Sequence, residues 1–222
     1  NTNNWNAVCL AGVTSAAVGV IKDRKERALF VAAAEYYSQN SVLGYTDDGY
    51  CTEGLGYFNY GFQHYIILRE QLYQRTKGAI DLFKGEKMKK IAMYGINFEI
   101  INGAYPAFAD CRIGVTVSPQ ILWYCNHNLG LGLPAYDQLD SQKLLPSVFT
   151  AMLLFPNTAS QNSTPVESSA KAEGKQPIRT FFDKAGVLIC RPENPTAQSM
   201  GVALKGGNND EHHNHNDVGS YS

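Results

Sequence analysis

The sequence predicts an α+β chain in which a helical unit precedes the beginning of an antiparallel β unit. Before position 155, apolar residues recur at helical spacing in segments with irregular connections, which favours an α/α hairpin array. Residues 156–175 are rich in Ser, Thr, Ala, Asn and charged residues, so they predict a linker or a long surface loop. Short strand-like segments follow. We therefore assign 1–155 to the helical unit and 176–222 to the β unit, in a multidomain chain.

The helical unit is predicted to contain several helices. Residues 6–21 are small and apolar on nearly all sides, which predicts a helix packed against neighbours all round. Residues 24–39 form an amphipathic pattern with Leu29, Ala33 and Tyr36 at helical spacing. Further helices are predicted at 53–73, 88–101, 118–126 and 141–154, and strands at 178–183, 187–191 and 200–205.

The composition excludes several classes of protein. The 222 residues are 44% hydrophobic and 18% charged, which is ordinary for a globular protein. A net charge of -1 argues against nucleic-acid binding through a broad basic patch. No apolar run approaches the ~20 residues that span a bilayer. The five cysteines are scattered without a CxxC pair, so neither a disulfide scaffold nor a thiolate zinc site is expected.

The segment 208–222 is the most polar and histidine-rich part of the chain, with three of its five histidines. If this segment is an extended strand, His213, His215 and Asp217 line one face. Clustered imidazole and carboxylate groups are what a metal site or a proton-transfer site needs. The alternatives are a polar surface loop or an artificial affinity tag.

Two other tracts carry candidate functional groups. In the glycine-rich segment 47–65, Tyr57, Tyr60, Gly61 and His64 share one helical face, which is either a packing face or the wall of a sugar cleft. Its glycines would each cost up to ~1 kcal/mol inside a helix, so they indicate a close approach to the backbone. The loop 103–112 carries Asp110 and Arg112, for which a surface turn with a salt bridge is the simpler interpretation.

Four tracts together resemble the heparinase II/III-like polysaccharide lyases, a group that includes oligoalginate lyases. They are Asn-Asn-Trp at 3–5, the Asp-Gly…Glu-Gly…Tyr stretch at 48–57, Tyr-Pro-Ala-Phe-Ala-Asp at 105–110 and His-Asn-His-Asn-Asp-Val-Gly-Ser at 213–220. The resemblance covers essentially the whole chain in the same order, and the last tract is the most specific. Because both ends of the sequence look cut, we expect it to be the interior of a longer protein.

The resemblance implies an incomplete (α/α) toroid followed by an antiparallel β-sandwich, and β-elimination at a uronic acid. It places the catalytic tyrosine at Tyr57, the cleft-facing histidine at His213 and the group that neutralises the substrate carboxylate at Asn4. A structural zinc in some members is held by a histidine at the position of His215, with further ligands beyond Ser222. A bulge or twist would be needed to give His213 and His215 different tasks. Substrate contacts are expected from a further set of residues: Asn3, Trp5, Glu53, Tyr60, His64, Asp110 and Arg112.

The resemblance also implies an anionic, uronic-acid-containing polysaccharide as partner, a periplasmic or secreted location, and no cofactor for the chemistry. Removing the uronate C5 proton adds negative charge beside a carboxylate, which an amide such as that of Asn4 or a protonated histidine can offset. Tyr57 can act as the base if His213 or Arg112 supplies a nearby cation, or as the acid with His213 as base. The alternatives are a glycoside hydrolase, a glycan-binding module without activity, and a metal-binding structural domain. Candidate hydrolase carboxylates are those of Asp47, Asp48, Glu53 and Asp110.

Overall fold

The computed structural model describes residues 2–139, 147–154 and 176–222. Within these residues it contains seven α-helices, one short 3-10 helix and a three-stranded antiparallel sheet, so the α+β class is confirmed. The helices are α1 (Asn4–Val20), α2 (Arg24–Leu43), α3 (Leu55–Arg75), α4 (Glu86–Ala92), α5 (Tyr94–Phe98), α6 (Pro119–Leu129) and α7 (Val148–Leu154), and the 3-10 helix is Pro134–Tyr136. The predicted linker at 156–175 and the first part of the predicted helix at 141–154 lie outside the described residues. No helix in the described ranges has the length and apolarity needed to cross a membrane.

Helix α3 is the central helix, and α1 packs along it. Its buried face includes Leu55, Phe58, Phe62 and Ile66. Gly61 permits the close approach of α1, because a Cβ at this position would lie 2.9 Å from the Cβ of Asn4. What approaches the glycine-rich backbone is therefore another segment of the same chain.

The prediction that the first helix is packed all round is wrong for the described part of the chain. Its buried residues lie toward α2 and α3, but Trp5, Val13 and Val20 are 61%, 53% and 78% exposed. The helix therefore presents an apolar outer face.

The predicted helix at 88–101 is wrong in its continuity, since the segment forms the two short helices α4 and α5 and then an extended stretch. The carbonyl groups at the end of α5 are bound by side chains from the β unit. Arg191 donates to the carbonyls of Asn97 (2.6 Å) and Glu99 (2.8 Å), and Gln176 donates to that of Ile96 (3.1 Å). These tertiary hydrogen bonds replace the next helical turn.

The sheet consists of β1 (Arg179–Phe182), β2 (Val187–Cys190) and β3 (Val202–Lys205) in the order β1-β2-β3. These strands confirm the three predicted ones to within two residues at each end. Phe182 of β1 lies 5.2 Å from the ring of Tyr50 and 5.9 Å from that of Tyr94, both fully buried. The sheet therefore packs on the aromatic core of the helical part.

After β3 the chain makes a loop and returns to the same strand. Ala203 and Ser222 exchange two backbone hydrogen bonds of 2.9 Å, and the N–H of Lys205 donates to the carbonyl of Ser220 at 3.0 Å. We call the intervening residues 208–219 the histidine loop. Its two ends are thus held at the edge of β3.

Candidate active site

The histidine loop is a series of turns, so the segment is not the extended strand considered in the sequence analysis and has the loop conformation that was the alternative. His213 and Asn216 have left-handed backbone angles, with φ of 58° and 61°. The side-chain carbonyl of Asn214 accepts hydrogen bonds from the backbone N–H groups of Asn216 (2.6 Å) and Asp217 (3.4 Å). Asn side chains favour such local turns over extended backbone.

The turns nevertheless bring His213, His215 and Asp217 to one segment of the helical unit. Nδ1 of His213 lies 2.9 Å from Oδ2 of Asp110, and Nε2 of His215 lies 2.8 Å from Oδ1 of the same carboxylate. The backbone N–H of Ala109 donates to Oδ2 of Asp217 at 2.6 Å in a buried position. The interpretation of Asp110 and Arg112 as a salt bridge is wrong, because the Asp110 carboxylate contacts His213 and His215 instead.

Tyr57 lies directly against His213. The residue is in the first turn of α3, and its ring stacks on the imidazole with a centroid distance of 4.2 Å and an interplanar angle of 28°. Tyr57 is half-buried, and its hydroxyl has no hydrogen-bond partner among the described residues. The hydroxyl is therefore available to a ligand.

Behind this pair lies a buried carboxylate. Glu53 is 6% exposed and accepts hydrogen bonds from the backbone N–H of Asn4 (2.8 Å) and from its side-chain amide (2.6 Å). Oε2 of Glu53 also lies 3.3 Å from Nε2 of His213. Each ring nitrogen of His213 thus faces a carboxylate, and both can donate a proton only in the imidazolium form.

An open cleft of about 520 Å³ borders Tyr57, and we call it the tyrosine cleft. His213 stacks on Tyr57 but does not line this cleft, so the expectation that His213 faces the cleft is wrong, and His215 lines it instead. Its volume is in the range of pockets that hold small molecules or a few sugar rings. Arg112 is exposed on its wall. The other polar or aromatic residues that line it are Tyr57, Tyr60, Asp110, His215 and Asp217.

Four of the predicted substrate contacts do not line the tyrosine cleft: Asn3, Trp5, Glu53 and His64. Asn3 caps α1 by accepting the backbone N–H of Trp5 at 3.2 Å, and the Trp5 side chain is exposed. Nδ1 of His64 lies 2.7 Å from the carbonyl oxygen of Tyr60. Asn4 lines a separate small cavity of about 20 Å³ on the inner side of Tyr57.

The resemblance places the other zinc ligands beyond Ser222, so the zinc site at His215 stays a prediction. Within the described ranges Nε2 of His215 is directed at Asp110, and no group of three or more His, Cys, Asp or Glu side chains is arranged to hold a metal ion. Cys51 and Cys125 are buried, and burial raises the pKa of both thiols, which disfavours the thiolate that a metal binds.

The sequence interpretation did not include Lys205 or its partner Glu211. The Lys205 side chain is fully buried, and its Nζ lies 2.6 Å from Oε2 of Glu211. A charged residue at the end of a strand is usually exposed, so only its position on the core-facing side of β3 could have indicated this pair.

The amino-acid sequence matches no protein-family model and no curated protein. The functional proposal therefore depends on the geometry of the Tyr57–His213 pair and of the cleft beside it.

Proposed function

We propose that the chain carries the active site of a polysaccharide lyase that cleaves a uronic-acid-containing polysaccharide by β-elimination. The main support is the stacking of Tyr57, from the helical unit, on His213, from the β unit, beside an open cleft. In this proposal α1 to α7 belong to an incomplete (α/α) toroid, and the three strands begin an antiparallel β-sandwich. The substrate is an extracellular type of polymer, so we expect a periplasmic or secreted enzyme.

Arg112 is our candidate for the group that binds the uronate carboxylate. It is exposed on the cleft wall, and a guanidinium can hold a carboxylate through two hydrogen bonds. Asn4, the sequence-based candidate, is 8% exposed and donates to Glu53. We therefore assign to Asn4 the task of holding Glu53 beside His213, with one amide hydrogen left for a ligand.

Tyr57 is our candidate for the proton-transfer group. If the C5 proton and the leaving oxygen lie on the same face, the Tyr57 phenolate takes the C5 proton. The electron pair of the C5–H bond forms a C4=C5 double bond, the C4–O bond breaks with its pair on oxygen, and Tyr57 returns the proton to that oxygen. In the opposite arrangement, a neutral His213 takes the C5 proton and Tyr57 protonates the leaving oxygen, and this route requires His213 to release its contact with Asp110 or Glu53. An imidazolium stacked on the phenol ring stabilises the phenolate in the first route.

A glycoside hydrolase would need two carboxylates that reach the substrate. Asp110 and Asp217 both border the cleft, but Asp217 is 9% exposed and its Oδ2 accepts the backbone N–H of Ala109. Glu53 is buried and held by Asn4. Asp47 is directed to Lys87, and Asp48 accepts a short hydrogen bond from the Thr46 hydroxyl, so both belong to a turn that does not line the cleft. The arrangement favours proton transfer by Tyr57 over a carboxylate pair.

The experiment is a screen of uronate polysaccharides, among them heparan sulfate, alginate and hyaluronan, with ultraviolet absorbance as the signal of an unsaturated uronate. We expect at least one polymer to give absorbing products without an added cofactor. Reducing ends that form without absorbance would indicate hydrolysis instead. Binding without turnover over long incubation would indicate a glycan-binding module, and both results would refute the lyase.

A further inference from the structure

Lys205 is an unusual residue for its position in the fold. It ends β3 on the face directed at the core, where Ala203 two residues earlier is fully buried. Its side chain is 0% exposed, and Nζ lies 5.5 Å from the centre of the Tyr50 ring. Removing an ammonium group from water costs several kcal/mol, so the site must contain a specific partner.

That partner is Glu211, which belongs to the histidine loop. The 2.6 Å contact between Lys205 Nζ and Glu211 Oε2 joins the sheet to the loop, and the Glu211 side chain is 7% exposed. A buried ion pair is often no more stabilising than apolar residues of similar size, so stability alone does not account for it. Such pairs can instead select one conformation among several.

The histidine loop requires a specific interaction to hold one conformation, because it has few apolar side chains that could fix it by packing. Val218 is 43% exposed, and the residues before it are polar or charged. Glu211 also connects the ion pair to the turn that carries His213. Asn214 donates two hydrogen bonds of 3.3 Å to Glu211, one from its side-chain amide to Oε2 and one from its backbone N–H to the carbonyl oxygen. Asn214 directly follows His213, whose φ is 58°.

We propose that the Lys205–Glu211 ion pair is a positioning device for His213, which holds the histidine loop in the turn that stacks this imidazole on Tyr57. This inference rests on the proposed function for its kinetic consequence, but not for its structural one. Lys205 and Glu211 act through the loop and do not line the tyrosine cleft.

The test is the double variant Lys205→Met/Glu211→Met in the intact protein, because it replaces both charges together and leaves neither buried alone. We expect a melting temperature within a few degrees of the parent. We expect kcat to fall about 100-fold with KM nearly unchanged, as for a misplaced catalytic group. The ring-proton resonances of His213, displaced by the ring current of Tyr57 and assigned by their change in Tyr57→Leu, should return toward ordinary values.

The matched control is Asp81→Asn, which weakens the buried contact of Asp81 with Arg69 (2.8 Å) far along α3. It should lower the melting temperature and leave the His213 resonances and kcat in place. If the double variant does not fold, Asn214→Asp carries the test, because it keeps the oxygen that accepts the Asn216 and Asp217 N–H groups and replaces only the amide that donates to Glu211.

Unchanged His213 resonances in a folded double variant, or in folded Asn214→Asp, would overturn the inference, as would an effect on melting temperature alone. Failure of the parent protein to cleave any uronate polymer would refute the lyase and leave the resonance test of Lys205 intact.

Discussion

Tyr57→Phe separates a catalytic role of Tyr57 from a structural one. The variant keeps the ring that stacks on His213 at 4.2 Å, a contact worth about 0.5–1.5 kcal/mol for an aromatic pair. It removes a hydroxyl that has no partner among the described residues, so no internal hydrogen bond is lost. We expect the free energy of unfolding to change by less than about 0.5 kcal/mol, as for a surface substitution. For a chain of 222 residues this shifts the melting temperature by about 2 °C or less.

The activity should respond very differently. General acid–base catalysis by a positioned group contributes about 100- to 10,000-fold in rate, which corresponds to about 2.7–5.5 kcal/mol of activation free energy. We therefore expect kcat on the best polymer of the ultraviolet screen to fall by at least 100-fold in Tyr57→Phe.

Tyr60→Phe is the matched control, since Tyr60 lies on the same helix face and lines the same cleft but is 46% exposed and packs on His64. We expect it to lose only a few-fold. If Tyr57→Phe keeps kcat within a few-fold of the parent, or if both variants lose activity equally, the proton-transfer role of Tyr57 is refuted.

Three further predictions concern binding, pH and packing. Arg112→Ala should raise KM about 10-fold or more in the ultraviolet assay, and Arg112→Lys should recover part of it, because a hydrogen bond to a charged group is worth about 1.5–3 kcal/mol. Burial of Asp81 raises the pKa of its carboxyl, but hydrogen bonds from Arg69 and from a backbone N–H outweigh burial and leave that pKa below its ordinary value. The stabilisation is present above about pH 4, the unfolded value, and is lost as the pH falls through the folded pKa, so Asp81→Asn should flatten the acid limb of unfolding curves. Gly61→Ala should destabilise the protein by about 1–3 kcal/mol in denaturant unfolding, since the added Cβ would lie 2.9 Å from that of Asn4.

The helices and strands could be predicted where local pattern decides the structure. The amphipathic pattern of 24–39 and the alternation around 187–191 reflect interactions between near neighbours, and both elements form within a few residues of the prediction. The prediction failed at 88–101, where Arg191 binds the carbonyls of Asn97 and Glu99. A hydrogen bond between residues some ninety positions apart leaves no periodic signal in either segment.

The candidate site was predictable in its chemistry and not in its geometry. Clustered histidines and carboxylates at 208–217 indicated a polar centre, and the structure groups His213 and His215 on Asp110. An extended strand would group these side chains by alternation, whereas the loop groups them through two residues with left-handed backbone angles. Local turns formed by Asn side chains compete with strand pairing, and single-residue patterns do not resolve that competition.

The position of the tyrosine cleft depends on the backbone conformation of Ala109, which the residue type does not indicate. Ala109 has a φ of 53°, a left-handed conformation that costs a residue with a Cβ about 1–3 kcal/mol and persists only where neighbouring contacts determine it. Two contacts do so from opposite units. Asp217 accepts the Ala109 N–H at 2.6 Å, and Gly54 lies so close to the Phe108 carbonyl oxygen that a Cβ would be 2.7 Å from it. The histidine loop therefore supplies His215 and Asp217 to the cleft and also fixes the segment that presents Asp110, so both sides of the cleft depend on the conformation of one polar loop.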